Sequence, residues 1–530
     1  MQRVLKYLIY ILISILFTPA LFSQESHSLY QNNMFRHYDR YIYKADVRFH
    51  TSVKPFLNSQ IDSIVSLDTL YRIDTKNRAI ELIFNRDLIK YDKDNFKFNI
   101  NPFINFEVGK DKNFDNNSWI STRGFLINGS LGKNFSFSTL FSENQAKFYD
   151  YRNSLIRKDN VIPGQGRYKF YKGDGYDYAF SEAYISYQAG KHFNFQLGHG
   201  KNFIGDGYRS LLLSDHAFSY PFFKITADVW NIKYMSIWMQ FQDFTQKKPY
   251  GAPYDKKWGA FHYLDWSITK WLNIGFFEAI IWQNADSLGY RGFDVNYANP
   301  VIFFRPVEYS IGSPDNVVVG FNGKITIFND KIFYGQLVID EFKFSEMKNY
   351  EKGWYGNKFG MQAGFKTFDL FKIKHLDIQT ELNFVRPYMY SHISTLKNYA
   401  HYNVSLAHPL GANFWESVSF LRYNYKRVFF EGRYSYAVHG TDTAGLNFGN
   451  NLFLPYGTHA KEYDNYVGQA VPVTLQYTSL QLAYLINPNY NFNIYINYTI
   501  RKEYTSDFTN NQNLITFGIK TSLHNYYYDY

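Results

Sequence analysis

From Phe96 onward, apolar and polar residues alternate with a period of two. Phe96, Phe98, Ile100, Ile104, Phe106 and Val108 stand on one side, and Lys97, Asn99, Asn101, Asn105 and Glu107 on the other. That period predicts a β-strand with two unlike faces, with Pro102 a tolerated irregularity. The pattern then recurs over residues 119–131, 135–143, 179–188, 192–203, 222–229, 232–244, 258–269, 272–283, 317–328, 332–342, 358–368, 376–385, 415–425, 428–437, 476–486, 492–501 and 514–525. Short turns such as Gly132-Lys133-Asn134, Asn329-Asp330-Lys331 and Asn487-Pro488-Asn489 alternate with long polar loops. Eighteen strands result. An even number closes a transmembrane barrel and brings both chain ends to the short-turn side, which is periplasmic in such barrels. The loops expected on the outer side are 110–118, 144–178, 204–221, 245–257, 284–316, 343–357, 386–414 and 438–475, with a short one near 505–512.

Before Phe96 the period changes. Met34, Phe35, Tyr38, Tyr41, Ile42 and Ala45 are spaced for one helical face, and Leu57, Ile61, Ile64 and Val65 for another. Residues 24–95 are therefore expected to form a small, partly helical periplasmic segment, and 96–530 the barrel. At the start, Arg3 and Lys6 precede an apolar run from Tyr7 to Phe17, with small residues at Ala20 and Ser23. This predicts a secretory signal peptide over residues 1–23, cut after Ser23 or, as the fallback, after Ala20.

Composition narrows the class further. Aromatic residues make up 21% of the chain against 19% charged, with 49 Tyr and 51 Phe, and no second run is apolar and long enough for a helical span. Amphipathic rings collect at a membrane–water interface, so an exported, aromatic-rich, β-patterned chain is expected to be an all-β transmembrane antiparallel barrel of the outer membrane. The chain has no Cys, which excludes disulfides, thiolate metal sites and a lipid-modified N-terminal cysteine. A net charge of +10 suits contact with anionic lipid, lipopolysaccharide or glycan, and an exported chain is not expected to meet nucleic acid. Leu514–Asn525 followed by Tyr526, Tyr527, Tyr528 and Tyr530 resembles the C-terminal signal read by barrel-assembly machinery.

Candidate chemistry concentrates in His192–Lys224, where a clean strand runs into GHGKNFIGDG. The spacing fits neither GxxxxGK[ST] nor GxGxxG, and the histidines lack a metal-ligand spacing, so no cofactor and no metal are expected. Neither HExxH nor GxSxG occurs, and the chain is read as a non-enzyme, with a hydrolase built on scattered Ser, His and Asp as the alternative. Sugar binding is the stronger reading. Aromatic faces pack on a pyranose while Asp, Asn, Arg and His bond its hydroxyls. Expected ligand contacts are Arg167, Asp174 and Asp177 in one loop, Asp206, Tyr208, Arg209, Asp215 and His216 in the next, and Arg305 and Glu308 in a third. The competing reading has such Arg–carboxylate pairs holding loops folded into the lumen.

The run LGHGKNFIGDGYRSLLLSD, with SENQAKF and IPGQGRYK before it and YANPVIFFRPVEYSIGSPDN and LAHPLGANFWE after it, resembles the Wzi-like capsule-assembly family of outer-membrane proteins, especially its branch associated with gliding motility. The resemblance covers most of the chain from Phe96. It implies an eighteen-stranded barrel with a helical element at the periplasmic mouth and a lectin-like role in holding capsular polysaccharide or exopolysaccharide at the cell surface. No sugar-contact motif matches residue by residue. The alternatives are an interaction component of a motility or export apparatus, binding motility proteins, and a general porin.

Overall fold

The computed structural model describes residues 26–530 apart from 28–31, 37, 67–69, 114–115, 246–252, 287–288, 342, 349 and 444. The expected signal peptide lies outside the described residues. Eighteen antiparallel strands close into one barrel, the last pairing with the first through Leu514↔Asp111 and Lys520↔Asn105. The strands are β1 (Phe96–Asp111), β2 (Asn116–Leu131), β3 (Phe135–Lys147), β4 (Gly175–Ala189), β5 (Phe193–Gly200), β6 (Tyr220–Val229), β7 (Ile232–Asp243), β8 (Asp255–Ser267) and β9 (Leu272–Gln283). They continue as β10 (Asn316–Ile327), β11 (Lys331–Glu341), β12 (Lys358–Thr367), β13 (Leu376–Val385), β14 (Phe414–Tyr425), β15 (Val428–Thr441), β16 (Val471–Asn487), β17 (Phe492–Tyr504) and β18 (Thr509–Thr521). Every strand expected from the period is present, most extended by a few residues toward the long loops.

The two faces of the wall are inverted relative to a soluble barrel. Val108, Phe125, Ile185, Leu197, Phe276, Phe321, Phe333, Leu382, Leu480, Leu482, Ile496 and Phe517 are exposed, while Asn101, Ser138, Gln196, Lys224, Asn322, Lys324, Gln362, Glu381, Glu416 and Glu431 are buried. An apolar exterior around a polar interior defines a transmembrane β-barrel.

Four segments fill the lumen. The N-terminal segment contributes short helices α1 (Asp39–Ile42) and α2 (Asn58–Asp62), and Val53–Lys54 pair with Phe203–Ile204 inside the barrel. It also caps the short-turn end. Arg40 bonds Asp377 at 2.9 Å beside the β12–β13 turn, and Arg427 at the β14–β15 turn donates to the Tyr71 and Phe84 carbonyls. The second segment, residues 201–219, holds most of the stretch 204–221 expected as an outer loop and turns inward, almost every residue buried. Its apolar run Leu211–Leu213 packs against Met235, Ile237, Phe277 and Ala279 of the inner wall. Residues 386–413 enter beside it, Tyr390 and Tyr399 donating hydroxyl bonds to the Leu211 and Leu212 carbonyls at 2.7 and 2.6 Å. Finally, β18, expected to run to Asn525, ends at Thr521, and residues 522–530 with the terminal tyrosines fold into the lumen.

Because the bare wall is apolar, Leu482→Arg on β16 is expected to cost about 2–4 kcal/mol of membrane folding free energy if it lies near the bilayer midplane. Reversible denaturant unfolding in lipid vesicles measures it; an unchanged midpoint would mean that this face does not meet lipid.

Candidate functional site

The residues singled out from sequence separate into three places. Arg167, Asp174 and Asp177 stay at the long-loop end. The Arg167 guanidinium lies 4.8 Å from the Tyr254 ring centre, Asp174 pairs with Lys147 at 2.8 Å, and Asp177 is part of β4. Asp206, Tyr208, Arg209, Asp215 and His216 are buried inside the barrel. Arg305 and Glu308, paired at 2.8 Å, sit on helix α3 (Phe304–Ile311), which lies against the outer wall. One common contact surface is therefore not formed.

The luminal group is held by the wall and the tail. The Asp206 carboxylate accepts from Thr51, from Tyr43 at 3.1 Å and from Asn322 at 3.1 Å, while Lys366 bonds its carbonyl at 2.7 Å. Burial alone would raise its pKa, but Lys324, Lys54 and Lys366 outweigh that and hold it below the usual carboxylate range. Burial, helped by Arg36, brings the Lys54 ammonium down to about 7. Arg209 is 0% exposed and bonds Glu416 twice, at 2.6 and 3.1 Å, with Asp529 at 3.2 Å on its other side. Asp529 also accepts from Tyr208, and Asp215 from Tyr527 and Asn525. A side chain at Gly207 would collide with the Glu381 carboxylate, whose oxygens take the Tyr208 and Arg209 amides, so glycine lets this turn press on the wall. These side chains are struts between inserted loop, tail and wall.

What faces solvent is a cleft of about 700 Å³ at the long-loop end. Helix α4 (Asp150–Asp159) supplies Tyr151, Lys158 and Asp159; residues 403–411 and 450–453 form the far lip; the ends of β15, β17 and β18 bring His439, Arg501 and Asn510; Tyr530 closes the floor. The Arg501 guanidinium lies 4.7 Å from the Tyr151 ring centre and pairs with Glu503 at 2.7 Å, while its Nε, the Tyr530 hydroxyl and Asn510 Oδ1 are buried beneath the cleft without a partner. Phe453 and Phe508 add apolar faces. Of the sequence-derived residues only His216 borders this cleft. The signal that marks the others is modest: aromatic and amide residues in the long loops and at the strand ends beneath them. Half-buried Asp159 has its carboxyl raised by burial to about 6, with Lys158 opposing.

The architecture defines the class: a closed eighteen-stranded transmembrane barrel with a filled lumen. Among solved structures it is similar to Wzi of Escherichia coli, described as an outer-membrane protein involved in group 1 capsule assembly and a carbohydrate-binding β-barrel, at 13% identity and a TM-score of 0.56, over 94% of this chain and 99% of that one. OprD of Pseudomonas aeruginosa matches at 10% identity and a TM-score of 0.41, over 80% of this chain and 94% of that one. OccAB2 of Acinetobacter baumannii matches at 10% identity and 0.43, over 79% and 97%. No family model and no curated protein sequence matches.

Two outcomes follow from this geometry. Arg209→Leu removes the cation between two buried carboxylates, leaving Glu416 with His408 and Asp529 with Arg433 as their remaining basic partners, and is expected to lower stability by roughly 3–5 kcal/mol, read from the unfolding midpoint. A carboxyl with a raised folded pKa stabilises the fold while protonated, and the benefit is lost as pH rises through about 6. Asp159→Asn is therefore expected to flatten the fall in stability between the ordinary Asp range and that pH, measured as unfolding midpoint against pH.

Proposed function

We propose that this chain is a non-enzymatic outer-membrane barrel that binds and organises capsular polysaccharide or exopolysaccharide at the cell surface, with the cleft at its long-loop end as the glycan site. One observation carries the reading: that cleft combines aromatic rings, Phe453 and Phe508, with solvent-facing polar side chains, Lys158, Asn450 and Asn451, the pairing that stacking on a pyranose and bonding its hydroxyls requires. The carbohydrate-binding description of the Wzi structure and the sequence resemblance to that family point the same way. The porin reading is disfavoured by the filled lumen, and the chain is expected to give no steady conductance in a planar bilayer.

In this proposal the long loops are extracellular, both termini periplasmic, and the N-terminal segment closes the periplasmic mouth. Lys158 and Arg501 border the cleft together with Asp159, Asp442 and Glu503, a lining of mixed charge, so the preference for an anionic glycan rests on the net charge of +10 of the whole chain. Insertion by the barrel-assembly machinery and contact with lipopolysaccharide belong to the same reading. A role in gliding motility, with protein partners of that apparatus, rests on the sequence resemblance alone; a stoichiometric partner on co-purification would favour it.

The test is binding of the detergent-folded protein to polysaccharide extracted from its own cells at two salt concentrations. Binding should weaken with salt, and Lys158→Ala and Phe508→Ala should each weaken it roughly five- to tenfold, about 1–1.4 kcal/mol. A folded barrel that binds at neither salt would sink the proposal.

A further inference from the structure

The loop between β9 and β10 does not stand above the barrel. It drapes down the outside of the wall. Successive strands β7, β8 and β9 carry outward-facing Tyr234, Ser236, Trp238, His262, Glu278 and Trp282, a polar and amphipathic patch on a face that is otherwise bare and apolar. The loop covers that patch and takes its hydrogen bonds. Tyr234 and Ser236 donate to the Pro300 carbonyl at 2.6 and 2.8 Å, Trp238 to that of Tyr297 at 2.8 Å, and Trp282 to that of Gly292 at 3.0 Å. The Glu278 carboxylate accepts from the Phe304 and Arg305 amides at 3.0 and 3.1 Å, and the His262 ring packs tilted against Phe304, centres 4.1 Å apart.

The other side of the loop is apolar and open: Val301 is 70% exposed, Phe303 76% and Tyr309 84%. Its level on the barrel decides what these side chains meet. Glu278 pairs in register with Val319, and Phe276 with Phe321, and those three apolar neighbours stand bare on the wall. The deepest part of the loop thus lies level with the lipid-facing band. Irregular backbone survives in hydrocarbon only where its polar groups find protein partners, and here the wall supplies them. Arg305 is the one long charged group on the outer side; it is paired with Glu308, and its stem is long enough to lead the head toward the interface.

We propose that residues 289–311 form a membrane-embedded strap whose outer face contacts the acyl chains of the leaflet at the long-loop end. An apolar groove along its edge, lined by Leu197, Phe223, Trp238, Trp258 and Phe293, continues the same lipid-facing surface. The strap seals a polar patch that would otherwise face hydrocarbon, and it widens the apolar circumference of the barrel on one side.

The chain has no cysteine, so one introduced thiol is unique. Val301→Cys and Phe303→Cys, neither touching the wall patch through a named bond, carry a nitroxide in the folded chain reconstituted in phosphatidylethanolamine–phosphatidylglycerol vesicles. Phe321→Cys on the bare wall and Lys461→Cys in an exposed loop are the references. At positions 301 and 303, collisions with oxygen are expected to exceed those with a water-soluble nickel complex, as at 321 and opposite to 461. Nickel-dominated collisions would place the strap in water, and low collision with both would mean that a protein surface covers it; either overturns the proposal. Should one strap variant fail to fold, the other decides.

Discussion

The constraint on which the structure depends is the polar interior of a wide barrel. Eighteen strands enclose a lumen too broad for wall side chains alone to fill, yet half of every strand points into it. Buried polar and charged groups are tolerated only when bonded or paired, so the inward row of Lys, Glu, Asn and Gln demands partners. Four inserted segments supply them. Asp206 is surrounded by three wall or plug lysines, and Arg209 joins an inserted loop to Glu416 of β14 and Asp529 of the tail. Each of these ions would be costly alone, which is why loop, tail and wall are interdependent.

That interdependence reaches the proposed glycan site. Its floor and far lip are the outer ends of the inserted segments: His216 follows the buried Leu211–Leu213 run, residues 403–411 follow Tyr390 and Tyr399, and Tyr530 follows Asp529. The cleft is therefore shaped by luminal packing and not by free loops alone. A rigid floor fixes ring positions before any ligand arrives, which limits the ordering cost of binding.

Strand positions were legible because a two-residue period over ten or more residues has one structural meaning, and turns such as Asn329-Asp330-Lys331 punctuate it. The destination of the loops was not legible in the same way. A loop entering the lumen needs the same mixture of aromatic, acidic and basic residues as a loop holding a sugar, so Asp206, Arg209 and Asp215 fit both readings until their partners Lys324, Glu416 and Tyr527 are known. Those partners are hundreds of residues away or contributed by other strands, and periodicity carries no information about them. The terminal tyrosines belong with them: an aromatic tail after an apolar strand resembles an assembly signal, and nothing in the period shows that Tyr527 spends its hydroxyl on Asp215. One further signal for the strap is legible in the sequence. Glu278 stands between Phe276 and Ile280 on the apolar side of β9, and a carboxylate there calls for a covering element.

The abundance of aromatics then acquires a second cause besides an interfacial girdle. In the lumen, Tyr43, Tyr208, Tyr390, Tyr399 and Tyr527 each fill space with a ring and close a polar group with a hydroxyl. Outside, Tyr234, Trp238 and Trp282 do the same for the strap, offering an apolar body to the wall and one donor to its backbone. A residue that is mostly hydrocarbon yet ends in a single donor suits both surfaces of a barrel that folds chain against itself on its inner and outer sides. An open channel has less use for such side chains in its interior, since water would satisfy the polar groups that tyrosine satisfies here.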